Sequence, residues 1–166
     1  MSTKILIVTL FATILSSLIF TSTAKPLQTE VSEKYRNVQA NAKGDKITIT
    51  LDQFNYGKRL FNQTCAECHA GGITRTSQTV TLSAEHLANA VPKRNNIEGL
   101  VDYMKNPTTA DGEVEISELH PSEKSQDIFT KMRGLGDRDF SAIAGYILTE
   151  SNRLGEKWGG GKKLYY

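Results

Sequence analysis

Two cysteines followed directly by a histidine constrain this chain more than any other feature. The run Cys65-Ala66-Glu67-Cys68-His69 has the form C-x-x-C-H, and the 166 residues include no other cysteine. On a helical turn, thiols three positions apart share one face, so both can add to vinyl groups on one edge of a porphyrin. The following histidine then offers an imidazole nitrogen to iron. The motif predicts one covalent c-type haem, attached through Cys65 and Cys68, with His69 as an axial ligand.

Three other uses of a cysteine pair fit less well. A disulfide across two intervening residues would restrain very little chain. A thioredoxin-like redox pair needs a βαβ context, whereas this motif follows a predicted helix. A structural zinc site needs four ligands at typical spacings, and the other two histidines, His86 and His120, are 34 positions apart.

The first stretch of the chain has the pattern of an export signal. Lys4 precedes an apolar run from Ile5 to Phe20, and Ser22-Thr23-Ala24 offers the small residues that a signal peptidase reads. A retained membrane anchor is the alternative, but the run is shorter than the roughly 20 apolar residues that span a bilayer. We predict a cleaved signal peptide over residues 1–24, with the mature chain starting near Lys25.

The rest of the chain has the length of one compact domain. The full chain has a formal net charge of +2, which falls to about +1 when the segment with Lys4 is removed, and this gives no general reason to bind nucleic acid. We predict an N-terminal arm over residues 25–46, a cytochrome c domain over 47–156 and a C-terminal docking tail over 157–166. The tail is glycine-rich and therefore predicted to be flexible.

Apolar periodicity predicts a mostly α fold. Helices are expected from the capping box Thr50–Gln53 into the cysteine motif, and over about Ala84–Ala90, Ile97–Lys105 and Asp137–Thr149. Gly57 is unfavourable inside a helix, so its use is a close approach by another helix. The expected architecture is a small class I-like cytochrome c domain with long loops, the longest starting at Pro107.

The segment before the first long helix has a weaker pattern. Residues 25–43 are polar and without a clear period, which predicts an irregular arm. Ile47, Ile49 and Leu51 alternate with threonines, which predicts a short N-terminal β element.

A second axial ligand is sought among Met104, Met132, His86 and His120. Helix packing accounts for Met104, and His86 is expected to be solvated in the first turn of its helix. Met132 stays open as a pocket residue or a ligand. His120 lies in the long loop, where the following proline holds it extended. Methionine ligation raises the haem potential, whereas two imidazoles leave it low; either choice fills the sixth position.

The assembled residues resemble the low-potential extrinsic cytochrome c of photosystem II, the cytochrome c-550 family. The likeness covers about Ile47 to Tyr166. The segments that carry it are Gly57–Phe61, Cys65–His69, Gly71–Thr74, Asn96–Thr109, Ile143–Gly145, Lys157–Gly161 and Tyr165–Tyr166.

The resemblance implies bis-histidine ligation, with His120 as the second ligand in Glu118-Leu119-His120-Pro121-Ser122. It also implies a lumenal protein, peripheral to the thylakoid membrane of a cyanobacterium or an algal plastid. Its expected partners are the photosystem II core and the other extrinsic subunits of the oxygen-evolving complex. There such a subunit stabilises the oxygen-evolving cluster with its calcium and chloride, in a structural or electron-transfer role and not as an enzyme.

Two other functions are compatible with the haem motif. A soluble, mobile electron-transfer cytochrome c is the main alternative, and a high potential with methionine ligation would favour it. A small peroxidase needs a displaceable sixth ligand and an acid–base group beside it, for which the sequence offers no specific residue.

Overall fold

A computed structural model describes residues 30–77 and 79–160. The predicted signal peptide and the last six residues of the predicted tail lie outside the described residues. The helices are α1 (Glu33–Arg36), α2 (Leu51–Thr64), α3 (Ala66–His69), α4 (Ala84–Asn89), α5 (Ile97–Lys105) and α6 (Asp137–Leu154), and the strands are β1 (Asn37–Gln39) and β2 (Lys46–Thr48). Short 3-10 turns cover Ala70–Gly72, Glu123–Ser125, Thr130–Met132 and Gly155–Lys157. The predicted class, a small mostly α domain with long loops and a short N-terminal β element, is confirmed.

The core of the domain forms where α2 packs against α6. Thr50 caps α2 by accepting a hydrogen bond from the Gln53 N–H (3.1 Å), and the Gln53 side chain accepts from the Thr50 N–H (2.9 Å). Phe54 and Phe61 of α2 are almost fully buried. Gly57 lies against the Ala142 carbonyl of α6, where a Cβ would overlap that oxygen. The predicted capping box and the predicted close helix approach are both confirmed.

Helices α4 and α5 also begin where the sequence predicts. Ser83 accepts from the His86 N–H (3.2 Å) at the start of α4, and Asn96 accepts from the Gly99 N–H (2.9 Å) at the start of α5. The last helix, α6, continues five residues beyond the predicted end at Thr149. Its extra turn holds a charged pair, Glu150 with Arg153 (2.7 Å), which an apolar stripe does not reveal.

The N-terminal arm is more ordered than its sequence predicts. Strand β1 pairs antiparallel with β2, with Val38 opposite Ile47, and α1 precedes it. The prediction of an irregular arm is therefore wrong for residues 33–39. Val31 and Val38 are each 3% exposed, and the Arg36 side chain donates to the Val31 carbonyl (2.9 Å). Core contacts together with local hydrogen bonds therefore order a segment that has no period of its own. The pairing joins residues on both sides of the predicted boundary at 46.

The C-terminal segment packs on the loop that follows the cysteine motif. Trp158 is 2% exposed, its ring centre lies 5.9 Å from that of Phe61, and the Gly159 N–H donates to the Gly71 carbonyl (2.9 Å). The prediction of a flexible glycine tail is thus wrong at Gly159, because a buried aromatic side chain precedes it. Within the described residues, no helix has the length and apolar character needed to cross a bilayer.

Candidate haem site

The two cysteines lie at the junction of α2 and α3. The Cys65 carbonyl accepts from the backbone N–H groups of Cys68 (3.1 Å) and His69 (2.9 Å), so these residues share one helical turn. Both cysteines are free thiols with partial exposure. This places the predicted attachment residues and the first histidine together, as their spacing requires.

The protonation of Cys65 argues against a redox pair. Burial raises the pKa of its thiol to about 11, Cys68 contributes in the same direction, and a hydrogen bond with Thr64 opposes the shift. Cysteines of thioredoxin-like motifs have a lowered pKa instead. Among the described residues, no group of three or more histidine, cysteine, aspartate or glutamate side chains is arranged to hold a metal ion, so the zinc alternative gains no support either.

His69 is oriented by the loop that follows it. Gly71 and Gly72 have positive φ angles (67° and 81°), which turn the chain back toward the histidine. The His69 Nδ1 then donates to the Ile73 carbonyl (3.1 Å) and lies 3.2 Å from the Thr74 hydroxyl. Since a carbonyl fixes the proton on Nδ1, the Nε2 atom is available to a metal. Burial lowers the pKa of His69, and the bond to Ile73 opposes that shift.

His120 reaches the site from the long loop between α5 and α6. Its backbone N–H donates to the Ile116 carbonyl (2.8 Å), and its carbonyl accepts from the Ser125 hydroxyl (3.2 Å). The Nδ1 atom is buried and has no partner at normal hydrogen-bond geometry within the described chain. Burial lowers the pKa of His120 to about 4, with His69 adding to the shift and a looser contact with the Pro121 backbone opposing it.

The imidazole rings of His69 and His120 lie close together although they come from different elements. Their ring centres lie 6.0 Å apart, with 49° between the ring planes. Two imidazoles bound to opposite sides of one metal, each at about 2 Å, separate their ring centres by roughly 6 Å. The pair of rings therefore fits a metal between them, and the two cysteines lie on the turn that carries one of the ligands. These four side chains fit a covalent haem.

Two residues that the sequence did not single out as site residues pack behind His120. The Tyr103 ring lies 4.9 Å from the His120 ring, and the guanidinium carbon of Arg94 lies 3.9 Å over the centre of the Tyr103 ring. Tyr103 belongs to the segment that carries the family resemblance, which was the only signal for it. Arg94 precedes α5 with no pattern that marks it.

The remaining ligand candidates have other surroundings. His86 is not solvated as predicted, because its Nδ1 accepts from the Thr81 N–H (2.9 Å) and contacts the Thr81 hydroxyl. Met104 is 6% exposed and packs in the core, as helix periodicity predicts. Met132 is buried to 2% exposure in the same core.

Two clefts on the described surface both leave out the rings of His69 and His120. The larger, about 380 Å³, lies between β1, α4 and α6 and includes none of the four candidate site residues. The smaller, about 280 Å³, is lined by residues 115–119 and ends next to His120. Residue chemistry, not cleft volume, thus identifies the site.

Comparison with known proteins identifies the family to which this chain belongs. A family model described as the cytochrome c-550 domain matches residues 29–166. The chain belongs to the cytochrome c-550 family. This confirms the resemblance read from the sequence, and it confirms a c-type haem as the cofactor.

Individual members of the cytochrome c-550 family match over most of this chain. Photosystem II extrinsic protein V of Trichormus variabilis is 61% identical over 82% of this chain and 83% of its own length. The protein of the same name in Thermosynechococcus vestitus is 56% identical, over 84% of this chain and 85% of its own. The crystal structure of cytochrome c549 superposes with a TM-score of 0.75 at 53% identity, covering 77% of this chain and 99% of that one.

Proposed function

We propose that this chain is an extrinsic, haem-carrying subunit of photosystem II. In this proposal Cys65 and Cys68 would attach one haem c, and His69 and His120 would supply imidazole ligands to its iron. The observation that carries the ligand assignment is the 6.0 Å separation of the two imidazole rings. The name of the curated relatives, photosystem II extrinsic protein V, supports the assignment to the photosystem.

Each proposed ligand side chain has a defined task. The Ile73 carbonyl holds the His69 ring in one tautomer, and the loop hydrogen bonds of Ser125 hold the backbone of His120. The bound haem supplies a one-electron couple between ferric and ferrous iron. With two imidazoles as its ligands, the iron would offer no open position to a substrate and would have a low potential. The subunit therefore has a structural or electron-transfer role and is not an enzyme.

The location and the partners follow from the same proposal. The protein is exported to the thylakoid lumen and binds peripherally to the photosystem II core and to the other extrinsic subunits. There it stabilises the oxygen-evolving cluster with its calcium and chloride. The tail over residues 157–166 is its proposed docking segment, and the buried Trp158 would anchor the start of that tail to the haem domain.

The test uses the full chain, exported in a bacterium that matures c-type cytochromes. Mass spectrometry should find the mass of one haem on the mature chain, and EPR should show a low-spin signal of two imidazoles. The protein should bind stoichiometrically to photosystem II membranes that have been washed free of extrinsic subunits. A methionine-ligated, high-potential spectrum without binding would instead identify a mobile electron carrier.

A further inference from the structure

Arg94 is a buried cation next to the proposed haem site. It is 6% exposed, and its Nη2 atom donates to the Thr108 carbonyl (3.0 Å), the Thr108 hydroxyl (3.0 Å) and the Thr109 carbonyl (2.8 Å). All three acceptors are neutral oxygens. Within the described residues, no carboxylate lies at ion-pair distance from this guanidinium. Asp102 interacts with it at longer range, so no direct ion pair neutralises the charge.

The guanidinium contacts the site through one aromatic ring. Arg94 lies over the face of Tyr103 at 3.9 Å, a cation–π distance. Tyr103 also packs against His120, at 4.9 Å between ring centres and 60° between the planes. The threonine oxygens fix the guanidinium, the guanidinium fixes the aromatic ring, and the aromatic ring lies against the imidazole.

The two proposed axial ligands are held in different ways. His69 has a hydrogen bond from Nδ1 to the Ile73 carbonyl, the usual means of orienting a metal-bound imidazole. The Nδ1 of His120 has only a looser contact with the Pro121 backbone. The orientation of the His120 ring therefore depends more on packing than that of His69, and Tyr103 is an aromatic neighbour that packs against it.

We infer that Arg94 and Tyr103 are positioning residues for the His120 ligand, and that the charge of Arg94 raises the haem potential. The inference rests on the proposed ligation by His120 and goes beyond it, since it assigns two residues outside the ligand set. A buried positive charge favours the ferrous state because reduction lowers the charge of the iron centre. Arg94 therefore offsets part of the low potential that two imidazoles impose.

The size of the effect follows from Coulomb's law. A unit charge at roughly 10 Å, with an effective dielectric constant of about 20, changes a charge equilibrium about tenfold. For a one-electron couple this corresponds to about 59 mV. Removal of the charge should therefore lower the midpoint potential by that order.

Four variants of the haem-loaded chain separate charge from positioning. Arg94→Gln should shift the equilibrium between ferric and ferrous iron about tenfold toward the ferric state, which lowers the midpoint potential. It should also shift the EPR g-values. Arg94→Lys keeps the charge but loses the planar fork, so it should shift the g-values with a smaller change in potential. Tyr103→Leu should broaden the EPR signal and speed the exchange of His120 for added imidazole, whereas Tyr103→Phe should leave both unchanged.

Arg59→Gln is the matched control, because Arg59 also lies over a tyrosine ring, that of Tyr56 at 5.0 Å, on the exposed face of α2. It should leave the potential and the EPR spectrum at wild-type values.

The inference is overturned when Arg94→Gln has both wild-type potential and wild-type g-values, or when Tyr103→Leu exchanges its ligand no faster than wild type. If Arg94→Gln does not retain haem, Arg94→Met tests the effect of the charge on the potential, and Arg94→Lys and Tyr103→Leu test the positioning of His120. A wild-type protein without a bis-imidazole signal would refute the ligand proposal as well, whereas failure in the variants alone leaves that proposal intact.

Discussion

Gly57 of α2 lies directly against the backbone carbonyl of Ala142 in α6, at the crossing that forms the core. A Cβ at Gly57 would overlap that oxygen and would also lie 3.1 Å from the Tyr146 Cβ. Backbone atoms on both sides leave no flexible group to move. The contact sets how closely the helix that leads into Cys65 approaches the last helix.

We expect Gly57→Ala to destabilise the haem-loaded protein. Overpacking costs about 1–3 kcal/mol, which exceeds the gain of about 1 kcal/mol from replacing glycine in a helix. Denaturant unfolding measures the change, and Asn62→Ala on the exposed side of α2 serves as the control. A Gly57→Ala protein at least as stable as wild type would contradict this account of the crossing.

Removal of the proposed second ligand should open the iron. His120→Ala should convert the low-spin spectrum to one that binds added cyanide, and added imidazole should restore low-spin character. His86→Ala is the control, since His86 bonds to Thr81 and not to the site. Optical titration checks both variants. An unchanged low-spin spectrum in His120→Ala would assign the ligand to another residue.

Ser125 should stabilise the loop that carries His120. Its buried hydroxyl donates to the His120 carbonyl (3.2 Å) and accepts from the Ser122 N–H (3.1 Å). Loss of a buried hydrogen-bonded group costs about 1–3 kcal/mol, so Ser125→Ala should lower the unfolding free energy by that order and speed ligand exchange at the iron. Ser32→Ala, at an exposed position without a side-chain cap hydrogen bond, should change the unfolding free energy by at most about 0.5 kcal/mol and should leave ligand exchange unchanged.

Asp139 should make part of the stability dependent on pH. Its carboxylate accepts from the Tyr56 hydroxyl and, at 3.0 Å, from the Gly136 N–H. The Tyr56 bond first, and the backbone bond second, lower the pKa of Asp139 below its usual 3.8. A lowered folded-state pKa gives stability that is full above pH 3.8 and is lost as the pH falls further.

Unfolding free energies measured between neutral and acidic pH check this. Asp139→Asn should be less stable than wild type at neutral pH, and the difference should shrink below pH 3.8. Asp127→Asn, at an exposed loop position, should follow the wild-type curve. If the difference in unfolding free energy between wild type and Asp139→Asn stays constant with pH, the charge of Asp139 is not the cause of its stabilising effect.

The last residues of the chain should contribute to binding of photosystem II but should not affect the haem spectrum. Deletion of Leu164–Tyr166 removes the terminal aromatic residues and should weaken binding to washed photosystem II membranes about tenfold, with an unchanged haem spectrum. Trp158→Leu is the comparison variant, because Trp158 packs on Phe61 and Tyr146 and its loss should lower the stability of the domain itself. Equal binding by the full and shortened chains would remove the tail from the interface.

The first residues of the helices and the turn with Cys65, Cys68 and His69 could be predicted from the sequence, because they depend on neighbouring residues in the chain. Thr50 and Ser83 cap helices through N–H groups three residues away, and Cys65, Cys68 and His69 lie on one turn. The order of residues 33–39 and the packing of Gly159 were not readable, because β1 pairs with a strand beyond a turn and Gly159 bonds to a residue far earlier in the chain.

The sequence by itself predicted the cofactor class, the turn that carries the attachment residues and the first proposed ligand, because a turn of helix is set by residues within four positions of one another. His120 was named only through the family resemblance, and it is the tertiary structure that brings its ring to 6.0 Å from that of His69, with Tyr103 beside it and Arg94 against Tyr103. Contacts between distant segments depend on how α2, α5 and α6 pack and on the course of the long loop between α5 and α6. Apolar periodicity records that a face is buried but not which partner buries it, so these choices are made when the helices assemble.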